Sequence, residues 1–266
     1  MEPQELSDFL KWVPQFPNAI IGNGLLYAES KAIFYGRYKS FKSMLALWTA
    51  FCIADGRPWL GFDTPNVGAP VLYLQSEIPH PLLQRRVEKM WQHWNTIHGV
   101  IRPRTATLQP IYYWTEPYLK LDRSEGIALI NRHVANIQPA VLIMDPVYKI
   151  MSGNILDPNS VRALLDTVDQ VIGNHHISVI MIHHPRKSGL EEDMEWGSDD
   201  MLGSVLFSAW ADTIVKLVRK GGKGPRDNLT IGFEIVRHAE DLIEPKEVIF
   251  DRSTLGFIHA DELIQV

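Results

Sequence analysis

Residues 32–51 read AIFYGRYKSFKSMLALWTAF. The apolar start has the character of a buried strand. A short polar loop follows, and then a run apolar nearly all round, which predicts a covered helix over 42–54. Gly36 opens the loop and Lys42-Ser43 closes it. That is one residue away from the phosphate-binding pattern G-x-x-x-x-G-K-[ST]. The departure is Phe41, which stands where the pattern has its second glycine. The other Lys-Ser pair, Lys39-Ser40, fails the pattern, because it would need glycine at Ile33.

The context is a strand that feeds a helix, and backbone N–H groups at such a helix start point at an anion. The expected ligands are ATP and Mg²⁺. In this register Gly36, Arg37, Tyr38, Lys39, Ser40, Phe41, Lys42 and Ser43 form the phosphate loop. Lys42 would reach the β/γ-phosphates, and the Ser43 hydroxyl would bind Mg²⁺. Arg37 and Lys39 add phosphate contacts or are solvated loop charges. Phe41 brings a Cβ to a place that favours glycine, so the loop avoids positive φ there or carries strain. Its ring packs under the loop or lies near a base; both readings stand at this point.

A nucleotide enzyme of this kind needs a carboxylate at the end of a neighbouring buried strand. The stretch VLIMD (141–145) supplies Asp145 as the second Mg²⁺ residue. Its unbroken apolar run is that of a central parallel strand covered on both faces. APVLYLQSE (69–77) is another strand and ends in Glu77. Glu77 orients the attacking water, or caps the turn before Pro79. ISVIMIHH (177–184) ends in His183 and His184. One of these, with His184 favoured, would sense the γ-phosphate. A metal site there lacks a third ligand at suitable spacing. IGFEIVR (231–237) ends in Arg237. Its guanidinium would reach a neighbouring subunit's nucleotide, or pair with Glu240 or Asp241 in its own chain. A residue given in trans requires head-to-tail assembly. Lys216 and Arg219 are the reserve candidates.

Around these strands, Leu83, Val87, Met90 and Trp94 mark one helix face. Ile127, Ile130, Val134 and Ile137 mark a second, and Val161, Leu164, Val168 and Val171 a third that stops near Gly173. Residues 4–12 suit a short amphipathic helix, and Asn23-Gly24 a hairpin turn. The last third reads as consecutive strands joined by hairpins. Together this predicts an α/β fold: a mainly parallel sheet flanked by helices, with a C-terminal antiparallel extension. Residues 1–266 are read as one domain, with 1–30 available for oligomer contacts.

The chain has 266 residues, 45% of them hydrophobic, and a net charge of -5. That balance gives no global pull toward nucleic acid. Cys52 is the only cysteine, so no intrachain disulfide forms, which fits a reducing cytosol. The acidic start lacks a signal-peptide core, and no apolar run is long enough for a membrane span. A cytoplasmic location is expected.

The stretches GRYKSFKS, PWLGF, VLYLQSEIP, VLIMDPVYKI, IMIHHPRK, GSVLFSAWADTIVKL and EIVRHAED resemble those of the RecA-like ATPases related to the plasmid replicative helicase RepA, often grouped as AAA-type ATPases. The likeness spans about residues 20–255. It implies an ATPase core that forms a ring, often a hexamer. It also implies two channel loops that hold single-stranded DNA, after Asp145 and after His184. The first offers Tyr148 and Lys149; the second Arg186, Lys187 and Trp196. The second loop also carries Glu191, Glu192, Asp193, Glu195, Asp199 and Asp200, which repel phosphate. The expectation is a Mg²⁺- and ATP-dependent DNA helicase or translocase of plasmid- or phage-type replication, with replication proteins as partners. A recombinase- or mediator-like ATPase and a slow or non-hydrolysing regulatory module are the alternatives.

Overall fold

The computed structural model describes residues 3–13, 18–98, 108–184 and 204–259. Helix α1 (Leu6–Lys11) is capped by Glu5, whose side chain accepts from the Ser7 N–H. None of its residues is buried. Strands β1 (Ala19–Ile21) and β2 (Leu26–Tyr27) form the small antiparallel hairpin. Asn23 and Gly24 both take positive φ in its turn, as an Asn-Gly turn favours.

The main body alternates strand and helix: β3 (Lys31–Gly36), α2 (Lys42–Asp55), β4 (Val71–Gln75), α3 (His80–His98), β5 (Ile111–Thr115), α4 (Ser124–Ile137), β6 (Val141–Asp145), α5 (Pro158–His175), β7 (Ser178–His183) and α6 (Ser204–Trp210). A 3-10 turn, Val147–Lys149, follows β6. The chain then runs through β8 (Thr213–Gly221), β9 (Arg226–Val236), β10 (Lys246–Asp251) and β11 (Gly256–His259). The larger sheet has nine strands in the order β11-β10-β9-β8-β3-β7-β6-β4-β5. From β8 to β5 all pairings are parallel; β8 to β11 pair antiparallel. The expected α/β architecture is what the structure shows. Among the described residues, no helix is long and apolar enough to cross a membrane.

Successive side chains on a strand face opposite ways, and the core divides accordingly. Phe34, Tyr73, Ile143 and Ile182 pack with α2 and α3 on one face. Tyr35, Leu74, Met144 and Met181 pack with α4, α5 and α6 on the other. Helix α2 is buried nearly all round, because the sheet, α3 and β11 all cover it. It ends at Gly56 in the left-handed conformation.

Two details differ from the sequence-based expectation. Helix α5 does not stop near Gly173 but runs to His175, with His176 taking the left-handed cap at φ 54°. Gly173 has open space around it, so nothing there demands a stop. Strand β11 was not expected; it pairs with β10 from Val248↔His259 to Asp251↔Gly256.

Candidate nucleotide site

Strands β3, β7, β6 and β4 are parallel neighbours, so their C-terminal ends share one rim of the sheet. That rim gathers the loop after β3, His184 after β7, Asp145 at the end of β6 and Glu77 just beyond β4.

The loop begins with a close approach. A Cβ added at Gly36 would lie 2.6 Å from the Leu217 carbonyl and 2.6 Å from Ser40 Oγ. The first glycine of the pattern is therefore sterically required. Lys39 and Phe41 take positive φ, 63° and 66°. Phe41 is the residue before the first turn of α2, and no side chain caps that turn. An uncapped helix start leaves its N–H groups available to an anion. Phe41 thus adopts the backbone shape of a glycine. Its ring lies 4.3 Å from that of Phe250, and the guanidiniums of Arg219 and Arg252 stand 5.6 and 5.8 Å from its centroid. Both arginines pair with the buried carboxylate of Asp227. The ring packs against the C-terminal strands.

Lys42 is buried, and Nζ donates to the carbonyls of Gly36 (2.6 Å) and Arg37 (2.9 Å). Burial pulls its pKa down to about 8, against the opposing pull of Asp145 and Glu77. Ser43 Oγ donates to Asp145 Oδ1 at 3.1 Å. The other carboxylate oxygen of Asp145 accepts from Tyr73 Oη (2.6 Å) and Gln75 Nε2 (3.1 Å). Burial raises the Asp145 pKa; the nearby charge of Glu77 adds to that rise, and the donors from Tyr73, Ser43 and Gln75 only partly offset it. Tyr73 is held neutral, first by burial and then by Asp145.

Gln75 links the two acids. Its carbonyl oxygen accepts from the backbone N–H of Glu77 (2.7 Å) and of Ile78 (3.2 Å). The register Gln75↔Asp145 places its amide on the neighbouring carboxylate. Glu77 itself is exposed, and its Oε1 accepts from Tyr148 Oη at 3.1 Å.

The two histidines are distinct. The buried His183 ring meets Phe207 edge-on at 4.5 Å, and its Nδ1 lies 2.8 Å from the His184 carbonyl. His184 stands against Tyr148, with rings 5.8 Å apart. Burial first, then the charges of Lys42 and His183, lower its pKa to about 4, which keeps it neutral at pH 7. Arg237 follows β9, exposed, with Nη2 donating to the Ala209 carbonyl at 2.6 Å. The reserve residues are engaged within the chain, Lys216 with Glu234 and Arg219 with Asp227.

The segment after β6 is firmly tied. Val147, Ile150 and Met151 are buried. Lys120 Nζ donates to the carbonyls of Lys149 and Met151, and Asp122 accepts from the N–H groups of Ser152 and Gly153. Tyr148 and Lys149 face outward from this base, with Lys149 Nζ 5.6 Å from the tyrosine ring centroid. Arg186, Lys187 and Trp196 lie outside the described residues.

Sequence reasoning passed over Tyr73 and Gln75. Their signal was present: two polar side chains, two positions apart, at the end of an otherwise apolar strand next to the Asp145 strand. Ser43 and Asp145 are hard oxygen donors of the kind that suits Mg²⁺, which takes one or two protein groups plus substrate phosphates.

The AAA domain family matches residues 1–189. No curated protein matches the chain. Among solved structures, a KaiC-like protein from the hyperthermophilic archaeon Pyrococcus horikoshii OT3 is similar, with 13% identity, a TM-score of 0.59, and coverage of 90% of this chain and 93% of that one. A second solved structure, that of an ATPase domain, is similar as well, with 12% identity, a TM-score of 0.63, and coverage of 88% of this chain and 86% of that one. At such identities the likeness is one of fold. By family match the chain belongs to the AAA domain family, and its fold is RecA-like.

Proposed function

We propose that the protein is a Mg²⁺-dependent ATP hydrolase of the RepA type, which forms a ring, hexameric in the simplest case, and translocates on or unwinds single-stranded DNA. The observation that carries the ATPase part is the Ser43–Asp145 hydrogen bond of 3.1 Å beside Lys42, at the uncapped start of α2. Lys42 would exchange the carbonyls of Gly36 and Arg37 for the β/γ-phosphates. Ser43 and Asp145 would hold Mg²⁺, which when bound neutralises charge on the phosphates. Glu77, exposed at the same rim, orients the attacking water. His184, neutral at pH 7, offers a ring N–H to the γ-phosphate, with His183 behind it. Arg237 acts on the nucleotide of an adjacent subunit.

For nucleic acid, Lys149 beside the Tyr148 ring supports loose strand binding by one cation and one aromatic face. Arg186 and Lys187 extend that set on sequence grounds. The test is ATP turnover with and without single-stranded DNA, measured alongside particle mass by light scattering. The reading expects turnover that rises with DNA in a ring-sized particle. A monomer that turns over ATP without regard to DNA would remove the motor.

Two observations favour a second reading, a slow nucleotide-dependent regulatory module. Lys42 satisfies itself on its own loop, and Phe41 is held by Phe250 and two arginines. Tight ATP binding without turnover would select that reading.

A further inference from the structure

Tyr148 has no role in the nucleotide chemistry drawn above, yet it touches two of its residues, Glu77 and His184. Its hydroxyl donates to Glu77 Oε1 at 3.1 Å. Its ring meets His184 edge-on, and Lys149 Nζ stands 5.6 Å from the ring centroid. It is 38% exposed, so part of the ring remains open to solvent. The backbone beneath it is pinned by Lys120, Asp122 and buried Val147 and Ile150. A change at this corner would therefore fall on the Tyr148 side chain rather than on its backbone.

A phenol that donates to a carboxylate fixes the direction in which that oxygen points. It also occupies a lone pair that would otherwise orient water. With the Tyr148 bond in place, Glu77 is a partly blocked base. A nucleobase that stacks on the tyrosine ring, with its phosphate at Lys149, would compete with the geometry that lets the hydroxyl reach Glu77.

We propose that Tyr148 is a positioning residue that restrains Glu77 in the strand-free protein and releases it when single-stranded nucleic acid engages the Tyr148–Lys149 corner. This rests on Glu77 being the base of an ATPase, as proposed above. It adds a physical link between strand occupancy and hydrolysis within one subunit. Burial, followed by the neighbouring charge of Glu77, raises the Tyr148 pKa to about 12, so the phenol keeps its proton and remains a donor throughout the neutral range.

The test compares wild type, Tyr148→Phe and Glu77→Gln in the full chain, with Mg²⁺ and ATP, with and without oligothymidylate. Loss of one solvent-exposed hydrogen bond predicts that Tyr148→Phe raises strand-free kcat roughly two- to tenfold. KM should stay unchanged, and the stimulation by oligothymidylate should shrink toward one. A merely structural tyrosine would not raise kcat at constant KM when truncated.

If Glu77→Gln abolishes turnover but Tyr148→Phe keeps the wild-type strand-free rate and stimulation, the inference is wrong while the ATPase reading stands. If Glu77→Gln turns over normally, the base itself is misassigned, and the tyrosine link falls with it.

Discussion

The Phe41 ring packs against that of Phe250 with centroids 4.3 Å apart, while its own backbone holds φ at 66°. The two facts belong together. A left-handed conformation costs a non-glycine residue about 1 kcal/mol or more. Ring contacts with Phe250, Arg219 and Arg252 offset that cost and fix the loop at the start of α2.

Alanine at position 41 would keep the backbone cost and lose the ring, whereas glycine would lose both. Phe41→Ala should thus be the less stable variant, by about 1 kcal/mol relative to Phe41→Gly. Both should fall below wild type in a urea titration. Equal stability of the two variants would mean that position 41 does not hold positive φ in solution.

The arginines beside Phe41 share one acid. Burial alone would raise the Asp227 pKa, but hydrogen bonds from Arg252 and Arg219, and their charges, outweigh it and hold the carboxyl below its ordinary range. A depressed folded-state pKa contributes stability above the unfolded value of about 3.9 and loses it as pH falls through the folded value. Wild type should lose stability in acid below about pH 4. Asp227→Asn should be less stable at pH 7 and show a shallower acid loss in the same window. A parallel acid profile in the variant would remove Asp227 from the account.

Lys42 gives a prediction about binding. Its pKa in the free protein is about 8, lowered chiefly by burial. Nucleotide phosphates beside it would raise that value. Binding should therefore take up protons near pH 8 and weaken as pH rises above it. Calorimetry of a non-hydrolysable ATP analogue in buffers of different ionisation enthalpy reads this directly. No proton uptake at about pH 8 would place the phosphates away from Lys42.

Arg237 is exposed and anchored only lightly, through the Ala209 carbonyl. If it acts across a subunit interface, Arg237→Ala should lose turnover and retain analogue binding. Mixed with Glu77→Gln, it should regain part of the activity, since some interfaces then pair an intact Glu77 with an intact Arg237. Two inactive variants that stay inactive when mixed would keep Arg237 within its own chain.

Much of this was legible from the sequence for a physical reason. Strands buried on both faces are continuous apolar runs, so VLIMD and ISVIMIHH declare themselves, and their last polar residues mark the rim. The pairing of Ser43 with Asp145 followed from motif and strand end alone. Less legible were contacts made across the sheet. Tyr73 and Gln75 matter because the register sets Gln75 opposite Asp145. Phe250 and Asp227 meet the phosphate loop only after β8 to β10 fold back beside β3. No local spacing encodes that approach. Helix α5 outran its expected stop, because a glycine in open space carries no instruction to end, while His176 accepts the left-handed cap.

The central claim is that this loop binds and hydrolyses ATP despite Phe41. The most direct measurement is steady-state ATP turnover with Mg²⁺ by wild type and Lys42→Ala. The account predicts measurable turnover in wild type and loss of at least about a hundredfold in the variant, since Lys42 would stabilise transition-state charge on the phosphates. Near-normal turnover by Lys42→Ala would contradict it.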